Sequence, residues 1–188
     1  MKYQYQNVWK KLTPELITEI TEFWANEKAL PKDAQPTKRA EQVVVIMRDE
    51  NNKLAAVSTA IAKVVPRLRQ TLYYYRTFCA EKHRLNNTST GMLQASQKAL
   101  LEHNQKKDKP DAIGIILEIE NKAIHARFNE ATWTNTSFSF IGYSPRGLPL
   151  RVYYFPGFKL QAPARLPQDK KNANSVKKQA TIDISTTN

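Results

Sequence analysis

A chain of 188 residues with 41% apolar and 24% charged side chains can bury a core of its own, which excludes a wholly disordered or fibrous chain. One cysteine, Cys79, excludes an internal disulfide, and no apolar run approaches the roughly 20 residues that span a bilayer. The formal charge of +12 is the strongest deviation from average composition and favours phosphate-rich or acidic partners, nucleic acid or an acidic protein. Residues 1–6 are too polar for a secretory signal, so a cytoplasmic setting is expected.

The pattern places a short strand around Tyr3–Val8. Thr13-Pro14-Glu15 is a helix start, with Thr13 as N-cap, Pro14 at the first helical position and an acid in the first turn. Leu16, Ile17, Ile20, Phe23 and Trp24 then make one apolar face. Residues 29–41, with Pro31 and Pro36, read as a loop with room for one helical turn. Gln42–Met47 is a strand, Asp49–Asn52 a turn, and a second strand runs from Leu54 to Val65, closed by Pro66. Leu72–Cys79 is an aromatic strand. A helix follows the next loop and ends near His103. Asn104–Pro110 reads as a solvated connection. Ala112–Ile119 is apolar on both faces and therefore a central strand. Residues 122–131 suit a short helix. Strands near Ser137–Tyr143 and Leu148–Tyr154 flank the turn Ser144–Gly147. From about Gln161 the chain is a polar, basic tail with little to bury. The division expected is one domain over residues 1–160 and a disordered tail over 161–188.

Residues 84–93, Arg-Leu-Asn-Asn-Thr-Ser-Thr-Gly-Met-Leu, lie between the aromatic strand and the helix. A mononucleotide-type fold puts its phosphate-binding turn at that place. Unpaired N–H groups and the helix dipole there favour an anion.

The order hairpin, strand, helix, strand, helix, strand, strand resembles the GNAT N-acetyltransferase superfamily over roughly residues 1–158. In that family the loop after the fourth strand reads Gln/Arg-x-x-Gly-x-Gly/Ala. Here Arg84 falls on the first position, Asn87 on the first glycine and Ser89 on the Gly/Ala, with Met92 and Leu93 on the apolar pair. A second stretch, Asn121 to Phe128 followed by Thr132-Trp133, matches the family's fifth-strand asparagine, helical turn and aromatic position. The fold implied is α/β: a mixed, twisted, splayed sheet with helices on both faces.

The resemblance implies an acyl-coenzyme A cofactor, acetyl-coenzyme A or another. Main-chain groups of Phe78, Cys79 and Ala80 would hold its pantetheine arm. Arg84, Leu85, Asn87, Thr88, Ser89 and Thr90 would cradle its pyrophosphate. Two departures bear on activity. Asn87 puts a side chain where the family has glycine, and Phe128 stands where many members use tyrosine to protonate the leaving thiolate.

N-acyl transfer to an amine acceptor needs a base within hydrogen-bond reach. Glu118 and Glu120 share one strand face and are the candidates; alternatively Glu118 pairs with an arginine and Glu120 stands in solvent. Arg84 is a pyrophosphate ligand or an exposed loop cation. Cys79 reads as a small, partly buried strand residue. His83, His103 and His125 lack metal-ligand spacing, so no metal is expected. Tyr73–Tyr75 with Arg67, Arg69 and Arg76 mix cations with aromatics, but alternation sends part of them to the core. Two functions follow: a divergent acyl-coenzyme A-dependent N-acyltransferase, or a non-catalytic protein of that fold whose basic surface binds a partner.

Overall fold

The structure, a computed structural model, describes residues 2–84 and 88–166, so the expected ligand positions Leu85 and Asn87 and the tail beyond Leu166 lie outside the described residues. The first strand is β1 (Gln4–Asn7). Thr13 then takes an extended conformation and accepts a hydrogen bond from the Leu16 amide, so α1 (Pro14–Asn26) begins where the cap signals place it. The turn allowed for in the following loop is α2 (Pro36–Ala40), with Pro36 in its first turn. A hairpin of β2 (Val43–Arg48) and β3 (Leu54–Val65) leads to β4 (Gln70–Cys79). One 3-10 turn at Glu81–His83 precedes α3 (Thr88–Gln105). Last come β5 (Gly114–Glu118), α4 (Lys122–Arg127), β6 (Ser139–Tyr143) and β7 (Pro149–Tyr154).

The seven strands form one sheet in the order β1-β2-β3-β4-β5-β7-β6. β4 and β5 pair in parallel, with α3 as their crossover, and the other described pairs are antiparallel. Alternation along the strands gives the two faces different covers. Met47, Ala56, Tyr73, Tyr75 and Ile115 bury against Met92, Leu93 and Leu100 of α3. Ile46, Val57 and Val43 bury on the other face against Ile20 and Trp24 of α1. Tyr73 and Tyr75 are therefore core residues, and only Tyr74 faces the α1 side. Among the described residues no helix is long and apolar enough to cross a membrane.

Two expectations change. The run Asn104–Pro110 is polar but not all solvated: Asn104 still belongs to α3 and is 1% exposed, and its amide donates to Tyr73 Oη at 3.0 Å and accepts from the Asp111 amide at 2.8 Å. A buried amide with both ends satisfied pins the connection to β4. Gln161 and Ala164, which composition puts in the tail, are held to the sheet. Gln161 exchanges hydrogen bonds of 2.9 Å with the side chain of Gln70, and the Ala164 amide donates to the Arg69 carbonyl at 2.9 Å.

Candidate functional site

The parallel register of β4 and β5 covers only Tyr73 to Tyr75 against Ile115 to Leu117. Beyond it β4 continues for four residues, Arg76–Cys79, paired with β3 on one side and without a β5 partner on the other. β5 meanwhile ends at Glu118, and the Ile119 amide donates to Pro149 O at 3.0 Å. The two strands thus part at their C-terminal ends and leave an open backbone edge on β4. A gap at the carboxyl ends of parallel strands is where open α/β sheets take their ligands.

On the α3 face the gap meets the first turn of α3, formed by Thr88, Ser89 and Thr90. The amides of that turn have no intrahelical acceptors. The expected ligand residues divide here. Phe78 and Cys79 lie on the open edge. Ala80 does not contribute its amide, which donates to Ala55 O at 2.9 Å. Thr88 turns inward, 1% exposed, with its hydroxyl donating to His83 O at 2.8 Å. Arg84 is exposed, folds back with Nε donating to Cys79 O at 3.1 Å, and lies over the Phe78 ring at 5.8 Å. It therefore covers a carbonyl expected to hold the pantetheine arm. Burial pushes the Cys79 thiol above its ordinary range, and its Sγ lies 3.7 Å from Thr88 Oγ1.

On the α1 face, Glu118 and Glu120 come together as alternation predicts, but around a cation. Ser144–Gly147 closes as a turn, Gly147 N donating to Ser144 O at 2.9 Å with Gly147 at a φ of 73°. That turn presents Arg146, whose guanidinium lies 2.8 Å from Glu118 Oε2 and 2.8 Å from Glu120 Oε1. Tyr74 Oη also donates to Glu118 in a short hydrogen bond. The Glu118 side chain is 8% exposed, against 62% for Glu120. Burial pushes the Glu118 pKa up, but hydrogen bonds from Arg146, Ser144 and Tyr74 outweigh it and bring it down to about 2. Burial raises Tyr74 above its ordinary range, with the bond to Glu118 acting in the same direction.

The sign of the Glu118 shift predicts an acid limb. Its stabilising contribution is full above the ordinary 4.5 and is lost as pH falls toward about 2. Glu118→Gln should flatten thermal stability across that window relative to the parent, measured by melting at stepped pH. An unchanged acid limb would contradict the pairing.

The third wall is α4 and the chain after it. Asn121 accepts from the Ile124 amide at 3.2 Å, so the asparagine at the end of the central strand starts the helix. Phe128 follows α4, its ring 6.0 Å from that of Trp133. Its carbonyl accepts from Trp133 Nε1 at 2.8 Å and from Arg151 at 3.2 Å. Arg151, 2% exposed, also donates to Glu130 O at 2.6 Å and Ala131 O at 3.3 Å, and lies 4.4 Å over the Trp133 ring. It satisfies carbonyls of the bend that follows α4. Sequence reasoning missed Tyr74, Arg146 and Arg151, because their partners lie far off in the chain, from Trp133 beneath Arg151 to Glu118 beside Tyr74. The one legible clue was the turn composition around Arg146.

No family model and no curated protein matches the sequence. Solved structures match the fold. The ribosomal-protein-S5-alanine acetyltransferase from Vibrio fischeri is 9% identical with a TM-score of 0.57, over 84% of this chain and 95% of that one. A bacterial toxin is 12% identical with a TM-score of 0.55, over 82% and 91%. An acetyltransferase of the GNAT family from Streptococcus pneumoniae is 13% identical with a TM-score of 0.51, over 82% and 99%. The chain has the GNAT acetyltransferase fold.

Proposed function

We propose that this GNAT-fold chain is an acyl-coenzyme A-dependent N-acyltransferase. The observation that carries the reading is the gap between β4 and β5, with the first turn of α3 at its mouth. The residues present fit such a cofactor in two places. The open edge of Arg76–Cys79 offers backbone groups to the amides of a pantetheine arm, once Arg84 leaves the Cys79 carbonyl. The amides of Thr88 to Thr90, which have no intrahelical acceptors, with Arg84 released beside them, suit a pyrophosphate. When bound, the cofactor supplies an activated acyl thioester.

The remaining chemistry concerns the acceptor's proton. Glu118, ionised and bonded to three donors, is a weak base; its geometry fits it to hold Tyr74 and Arg146 in place. Glu120 is more exposed and reaches the same opening, so it is the better carboxylate to receive an ammonium and pass its proton to water. Phe128 has no proton to give, so protonating a leaving group would fall to solvent. A scaffold that only binds partners has no observation in the cleft to favour it.

Cys79 provides the test, because its thiol sits where the open edge meets α3. Iodoacetamide should alkylate it slowly, since burial keeps the thiolate scarce. Saturating acetyl-coenzyme A should slow that reaction severalfold further, read by mass spectrometry of the intact chain. Equal rates with and without it, from folded protein, would contradict the proposal.

A further inference from the structure

We infer that the acceptor carries an anionic group, a phosphate or a carboxylate, beside its amine, and that Arg39 and Arg76 receive that group. This rests on the acyl-transfer reading for the amine, and on separate observations for the anion.

The backbone brings the two arginines together. Gln42 O accepts from the Ala60 amide at 2.8 Å, and Gln42 N donates to Arg39 O at 3.1 Å, which holds the end of α2 against β3. In the sheet register Ala60 faces Tyr75, and Thr59 faces Arg76. Arg76 shares a strand face with Tyr74 and stands 5.4 Å from its ring centroid. Ala40 packs with Ile20 and Trp24 of α1, which puts the end of α2, and Arg39 with it, on the same side of the sheet as Tyr74, Glu118 and Glu120.

The arginines there are not equivalent. Arg146 is used up by two carboxylates. Among the described residues, neither Arg39 nor Arg76 has a carboxylate within ion-pair distance, and Arg39 Nε is buried with no hydrogen-bond partner.. A buried donor without an acceptor costs stability unless a ligand supplies one. Burial and the charge of Arg76 both pull the Arg39 pKa down, while Glu120 acts the other way, so all three groups share one field. Two like-charged guanidinium forks beside each other suit the several oxygens of a phosphate or carboxylate. Glu120 beside them carries the opposite charge, which suits an ammonium. The pattern is that of a site for a small zwitterion.

The test titrates O-phosphoethanolamine, β-alanine and ethanolamine into the full chain at low salt, followed by NMR chemical shifts. Phosphate or carboxylate recognition should make O-phosphoethanolamine or β-alanine bind about tenfold tighter than ethanolamine, and whichever leads names the anion. Arg39→Gln and Arg76→Gln should each erase that preference. Lys98→Gln, which removes an equal charge from the exposed surface of α3, should preserve it. Should Arg39→Gln fail to fold, the exposed Arg76 position carries the test. Binding no tighter than ethanolamine, or equal loss in Lys98→Gln, would overturn the inference. Acetyl-coenzyme A is titrated separately. Anion preference without cofactor binding would remove acyl transfer and leave this site standing. Cofactor binding without anion preference would remove this site alone.

Discussion

Gly114→Ala should cost about 3 kcal/mol or more of folding stability, the upper range for overpacking a tight contact. Gly114 opens β5 opposite Tyr154 of β7. A Cβ there would stand 2.2 Å from Tyr153 O and 3.0 Å from Tyr154 Cα. Those atoms are backbone at the end of the β5–β7 ladder, held there by the Phe155 amide donating to Ile113 O at 2.9 Å, so neither can rotate away. Either β7 moves off β5 or the strand shifts register, and a one-residue shift turns every side chain to the wrong face. The damage would reach the site, since Glu118 ends the same strand. Urea denaturation reads the effect as a lower midpoint, and stability within 1 kcal/mol of the parent would contradict the close approach. Gly91→Ala makes a useful contrast. Its Cβ meets only the ring end of Tyr5, a partly exposed side chain that can swing aside.

Arg151→Met should also destabilise strongly, by about 2–4 kcal/mol, because three backbone carbonyls lose a charge-assisted partner inside the protein. Two effects compete. Burial lowers the Arg151 pKa, a sign that holding the cation there is costly, and methionine removes that cost. The carbonyls left behind outweigh it, Glu130 O above all, since Phe128 O keeps Trp133 Nε1 and Ala131 O keeps the Phe140 amide at 2.8 Å. Arg151→Lys should recover only part of the loss, as one ammonium lacks the fork that spans three acceptors. Trp133 reports the change directly: its fluorescence should shift once the guanidinium no longer covers its ring. Equal stability of parent and Arg151→Met would show that the bend is held by packing alone.

What was legible in the sequence was local. Thr13-Pro14 marks the start of α1 because cap and helix are three residues apart. Leu54 and Val65 bound β3 because a turn precedes it and a proline follows. The full burial of Ala112 to Leu117 shows in their unbroken apolar run. The resemblance gave the order of strands and helices that the sheet follows. Partnerships between distant residues were not legible. Asn104 looks like its solvated neighbours until Tyr73, 31 residues away, supplies a buried partner. Arg39, Arg76, Arg146 and Arg151 look alike among the 29 basic residues. Only the fold divides them into a donor to the bend after α4, a bridge between two carboxylates, and two without a carboxylate partner among the described residues. Glu118 shows the same limit. Strand alternation put it beside Glu120, yet its three donors, which decide its basicity, come from β4 and the β6–β7 turn.

The central claim is that the gap between β4 and β5 binds an acyl-coenzyme A, and calorimetric titration of acetyl-coenzyme A into the folded chain tests it most directly. Saturable one-site binding in the micromolar range, about −8 kcal/mol, is expected, weakened in Arg84→Ala. Absence of binding heat across temperatures, from protein with an intact melting transition, would contradict it.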